Sequence, residues 1–154
     1  MNILVSGSGS SGSFEIRGRQ LGAAIGATVI PRALDVAAFD LAVLVKRPPA
    51  DLVARVHKAG IPLVWDVVDA WPQPEGNGWS FDDAMAWMTG KIMEFRPAAI
   101  VAATRAMADD LSHFGLPVLP LPHHARPGLK RMPMRPMTVV GYEGGTQHLG
   151  SWLP

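Results

Sequence analysis

Six short apolar runs, separated by stretches of helical period or by glycine turns, constrain this chain more than any other feature. They are NILVS (2–6), ATVIP (27–31), DLAVLVK (40–46), IPLVWDVVD (61–69), AAIVAAT (98–104) and LPVLPLP (116–122). The runs are nearly continuous in apolar residues, as in strands buried on both faces. Residues 14–27 place Phe14, Ile16, Leu21, Ala24 and Ile25 in helical register, with Ser13 as the expected N-cap and Gly26 near the end. Pro48 and Pro49 open a second helix that runs to about Ala59, with Leu52, Val53 and Val56 inward and Gly60 as its stop. Ser80 predicts the N-cap of a helix over 81–95, where Asp82 and Asp83 complement the N-terminal dipole. A fourth helix follows from Arg105 to Phe114 and stops at Gly115.

Strands that alternate with helices of this length require crossover connections, which make the sheet parallel. The expected fold is α/β: a Rossmann-like parallel sheet of about six strands with helices on both faces. A chain of 154 residues, 48% hydrophobic and 18% charged, is long and apolar enough to bury a real core. The formal net charge of +1 offers no broad basic field for nucleic acid. No uninterrupted apolar run approaches the length of about 18 residues that marks a membrane span. The N-terminus lacks the pattern of a signal peptide, so a cytoplasmic location is expected. With no cysteine, disulfides and thiolate zinc sites are excluded. Six of the fourteen prolines fall between residues 117 and 136. They suggest three segments: an α/β domain over 1–122, a Pro-rich linker over 123–136, and the start of a truncated second domain over 137–154. Self-association through the exposed 138–154 region is a further expectation.

Between the first run and the first helix lies GSGSSG, where Gly7, Gly9 and Gly12 match G-x-G-x-x-G. Glycines there allow positive φ and close backbone approach, and a helix N-terminus offers free amides to an anion. Three readings remain open: a phosphate or sugar-phosphate cradle using Ser8, Ser10 and Ser11 as well, a dinucleotide site, or a structural tight turn. A dinucleotide site wants an acidic residue at the end of the second strand. Here Pro31 and Arg32 stand at that place, and Asp35 follows three residues later. Arg32 could serve a 2′-phosphate. The early charges Glu15, Arg17 and Arg19 also depart from the small apolar residues that helix–strand packing favours.

In a parallel sheet, the loops after the strands converge on one crevice, and ligands bind there. Lys46 and Arg47 follow the third run, Asp66 and Asp69 close the fourth, and Thr104 and Arg105 follow the fifth. Cations beside a glycine-rich anion nest suit a phosphorylated ligand, though both could equally be solvated charges. Asp66 and Asp69 have opposite parity on a strand, so one regular face cannot hold both. Asp69, at the strand end, is the functional candidate, with Asp66 structurally paired. Trp71 could stack on a sugar or simply pack its loop, as could Trp79. His123 and His124 point opposite ways in an extended segment. They make no bidentate metal site, but a contact to sugar or phosphate is open to them. No metal or other cofactor is expected, and no G-x-S-x-G nucleophile elbow occurs.

The ordered set MNILVSGSGSSGSFEIRGRQLGAAIGA, IPLVWDVVDAWP, AAIVAATRAMADDLSHFGLPVLPLPHHARPG and MTVVGYEGG resembles the N-terminal half of a retaining, family-4-like glycosyltransferase of the two-domain GT-B type. The resemblance spans about residues 1–150. It implies an acceptor-side domain whose first loop borders an interdomain cleft, with Thr104 starting a helix and a histidine-bearing segment leading to a proline-rich linker. It also implies a nucleotide-sugar donor, an acceptor over Gly7–Gly12, and a donor site with paired glutamates in the second domain. Because the chain ends at Pro154, the 154 residues alone are expected to be inactive. Many relatives carry a histidine at the fourth strand's end, where this chain has Asp69-Ala70-Trp71.

Overall fold

A computed structural model describes residues 1–9, 11–68 and 80–122. The six apolar runs form one sheet: β1 (Ile3–Gly7), β2 (Thr28–Val29), β3 (Leu41–Val45), β4 (Leu63–Val67), β5 (Ala99–Ala102) and β6 (Val118–Pro120). Every pairing is parallel, and the strand order is β2-β1-β3-β4-β5-β6. Four helices connect them. The first, α1, begins with π-helical turns over Phe14–Gln20 and finishes as α-helix over Leu21–Ala24. The others are α2 (Ala50–Lys58), α3 (Phe81–Phe95) and α4 (Arg105–Ser112). Among the described residues, no helix is long and apolar enough to cross a membrane.

Alternate side chains of a strand face opposite sides, so the sheet sorts its residues into two cores. Leu4, Ala42, Leu44, Leu63, Trp65, Val67, Ile100 and Ala102 meet α2, α3 and α4 on one face. On the other face, Val5 and Val45 pack with Phe14 of α1. This division follows from handedness: right-handed crossovers toward β2 and toward β6 must lie on opposite faces. The β2–β3 connection carries no helix. Ala33 and Val36 fill the larger core from it, and Ser6 Oγ fixes its start by donating to the Ile30 carbonyl (2.6 Å) and accepting from the Ala33 amide (3.2 Å).

Prolines mark the far edge. Pro117 and Pro122 flank β6 and Pro120 is its last residue; among the described residues β6 has β5 as its one neighbour. A residue without an N–H weakens the outer edge as a template for another strand.

Helix α3 starts as its sequence predicts. Ser80 Oγ accepts from the Asp83 amide (3.2 Å), and the Asp83 carboxylate accepts from the Ser80 amide (3.1 Å), closing a capping box. The Ser80 hydroxyl and amide hold the Asp83 carboxyl below its ordinary 3.8. Because the folded state favours the carboxylate, its contribution is present above the unfolded-state value and fades as pH falls through the folded one. Asp83→Ala is therefore expected to lower the unfolding midpoint at neutral pH. The gap from the unaltered chain should narrow below the ordinary aspartate range, as acid denaturation series would show.

Candidate functional site

The chain leaves β1 toward β2 on one side and re-enters the sheet at β3 on the other. That reversal opens a crevice at the carboxyl ends of β1 and β3. Gly7 pairs with Val45 at the top of the two strands, so the Gly/Ser loop and Lys46–Arg47 emerge side by side. Lys46 Nζ lies 3.4 Å from Ser13 Oγ. The expected neighbourhood of loop and cation is thus present.

Within the loop, Ser11 rather than Ser13 caps α1. Its hydroxyl accepts from the Phe14 amide (3.2 Å), and its carbonyl accepts from Phe14 (2.9 Å) and Glu15 (3.1 Å). Ser13 already has helical dihedrals, so it cannot be the cap. The helix thus starts earlier than the apolar register alone suggests, with bonds from Phe14 and Glu15 closing on Ser11 before the π-helical stretch. Ser8 and Gly9 are half-buried, while Ser11 and Gly12 are exposed.

Gly9 has φ +85, and a Cβ there would stand 2.5 Å from Pro31. Its bare backbone is spent against the chain's own β2 exit. That is the side on which a dinucleotide would place its ribose, so the geometry counts against dinucleotide binding. Gly12 has nothing within 4 Å of an added Cβ. In the dinucleotide fingerprint the third glycine permits close helix–strand packing. In this chain that close approach falls instead to Gly22, where an added Cβ would meet Val29 of β2 at 2.5 Å and Val5 of β1 at 3.4 Å, while at Gly18 it would meet the Phe14 ring of the same helix at 2.8 Å. Phe14 is 1% exposed, and its ring also lies against Gly7, so it has little room to yield. Gly18→Ala is expected to destabilise the fold by about 1–3 kcal/mol in denaturant titrations. Gly12→Ala should leave stability nearly unchanged or slightly raised, by up to about 1 kcal/mol.

Lys46 adopts φ +60, a left-handed conformation uncommon for a side chain of its size. Three contacts hold it there. Its amide donates to the Asp66 carbonyl (2.8 Å), its carbonyl accepts from Trp65 Nε1 (2.8 Å), and its ammonium reaches Ser13. Arg47 is exposed beside it. Arg32, at the end of β2, is also left-handed at φ +50, and its amide donates to the Gly7 carbonyl (3.0 Å). Two strained cations thus flank the loop. Strain of this kind costs on the order of 1–3 kcal/mol per residue and persists only where the surroundings enforce it.

Thr104 and Arg105 stand apart. They follow β5, three strands from β1, which sets them about 14 Å across the sheet from the loop. Thr104 Oγ1 caps α4 by accepting from the Met107 amide (3.1 Å). Arg105 is exposed. Ser10, Asp69, Trp71, His123 and His124 lie outside the described residues. Among the described residues, no group of three His, Asp or Glu side chains is placed to hold a metal.

The residue that sequence reading undervalued is Arg17. It is 1% exposed, and Asp66 is fully buried beside it. Nε and Nη2 grip the carboxylate at 2.9 and 3.0 Å, and Nη1 donates to the Leu121 carbonyl at 2.5 Å. Such a planar, bidentate fork is what a guanidinium provides and an ammonium does not. A signal was there: a basic residue early on the inward side of a packed helix needs a buried partner. Asp66, of opposite parity to the strand-end aspartate, supplies it.

Comparison with known protein families, curated proteins and solved structures gives no match.

Proposed function

We propose that the β1/β3 crevice binds a phosphorylated ligand, and that the chain serves as the acceptor-side domain of a glycosyltransferase using a nucleotide-sugar donor. One observation carries the proposal: the ammonium of a left-handed lysine sits at hydrogen-bond range from Ser13, in the first turn of α1, at the topological switch point of the sheet. Helix-start amides and adjacent cations are the complement of a phosphate. The sugar-transfer reading is supported by the resemblance in sequence and by a parallel sheet of the kind it implies. In that role the domain's work is positional. It would hold the acceptor's anionic group so that the reacting hydroxyl faces the donor, with Asp69 as the candidate catalytic residue and Trp71, His123 and His124 as further candidate contacts.

Calorimetric titration with inorganic phosphate, UDP-glucose and NADPH tests this. Binding of phosphate or UDP-glucose that is weakened by Lys46→Gly and Arg47→Ala supports the reading. Lys46→Gly should leave the fold as stable or more so, since glycine relaxes at φ +60. Tight NADPH binding dependent on Arg32 would favour an oxidoreductase domain. No binding of any of the three would favour a protein-binding module.

A further inference from the structure

We infer that Arg17 is a positioning residue, fixing the Gly/Ser loop against the chain that leaves β6. The inference rests on the proposed ligand crevice and deepens it.

Arg17 belongs to the π-helical start of α1, only a few residues past the loop. Its guanidinium reaches over the sheet to Asp66 on β4 and to the carbonyl of Leu121, 104 positions away in sequence. Leu121 is also held from the other side, since its amide donates to the Ala102 carbonyl (2.8 Å). One side chain therefore joins the element that carries the loop, the strand next to β3, and the exit of the edge strand. Neither apolar packing nor strand pairing makes that link, because β1 and β6 lie at well separated places in the strand order.

A second feature sharpens the geometry. Phe14 is wedged between Gly7 and Gly18, so α1 cannot rise from β1 without losing a buried ring contact. Phe14 sets the height of the loop above the sheet, and Arg17 sets its lateral position relative to β4 and β6. Asp66 simultaneously receives the Lys46 amide on its backbone carbonyl. The same aspartate thus ties Arg17 to the left-handed lysine beside the loop. A ligand gripped between the loop and Lys46 would be aligned with whatever follows Leu121.

Hydrogen exchange and phosphate titration on two variants test this. Arg17→Lys keeps a cation near Asp66 but lacks the fork needed to reach Leu121 as well. Arg17→Met with Asp66→Leu removes both charges and retains bulk, which protects folding. In each variant, exchange at the Leu121 amide and at the Phe14 and Glu15 amides should quicken together. Binding of inorganic phosphate should weaken by about tenfold or more, since small misplacements are costly to a preorganised site. Unchanged exchange at Leu121 in both variants overturns the inference, as does undiminished phosphate binding once Leu121 is released. If the unaltered chain binds no phosphate, the crevice reading fails by itself. The coupled exchange still decides whether Arg17 holds the two segments together.

Discussion

Replacing Arg17 by Met alone is expected to cost about 3–5 kcal/mol, which would leave a domain of this size barely folded. The carboxylate of Asp66 is fully buried, and it would lose the guanidinium that neutralises it. The Leu121 carbonyl would lose a donor as well. Desolvating an ion is tolerable only while its counter-charge and hydrogen bonds remain, so removing one partner is worse than removing both. Hence the double change Arg17→Met with Asp66→Leu should recover most of the loss. Urea unfolding of the two variants gives a plain comparison. A single variant as stable as the unaltered chain would mean that the pair contributes no net stability.

Trp65→Ala should be comparably damaging, at about 3–5 kcal/mol. The indole is 1% exposed, meets Phe95 edge to face at 5.0 Å, and lies 6.5 Å from Trp87. Trp65→Phe separates two contributions. It keeps most of the apolar contact but removes the Nε1 donor from the Lys46 carbonyl, at a cost of about 1 kcal/mol or more. It should also free Lys46 from its left-handed conformation. Phosphate binding should therefore weaken in Trp65→Phe by more than the loss of stability explains. Equal affinity in a folded Trp65→Phe variant would show that Lys46 does not need that hold.

The strands were legible because a parallel sheet covered on both faces leaves little room for polar residues. That pressure writes nearly continuous apolar runs such as ILVSG and LAVLV. Helix α3 was legible because Ser80 and Asp83 compete for nothing else in their first turn. The start of α1 was not, because Ser11 and Ser13 are equally good caps by residue type, and residues 11–13, onto which Phe14 and Glu15 bond back at Ser11, include no apolar side chain to mark the first turn. The glycine motif left three readings open for a similar reason. Sequence records that glycines are present, but not whether the space they leave is filled by a ligand or by Pro31 and Phe14. Parity did place Asp66 correctly as a paired residue. It could not name Arg17 as the partner, since the contact joins residues 49 positions apart on two different elements. The link from Lys46 to Ser13 was foreseeable only as a shared sheet edge; its contact distance depends on an unusual backbone conformation.

The measurement that bears most directly on the account is a map of backbone amide resonances during titration with inorganic phosphate. Anion capture in the groove at the switch point predicts saturable shifts concentrated at Gly9, Gly12, Ser13, Lys46 and Arg47, lost in Lys46→Gly. Shifts confined to other parts of the surface, or none at concentrations that saturate ordinary phosphate sites, would contradict it.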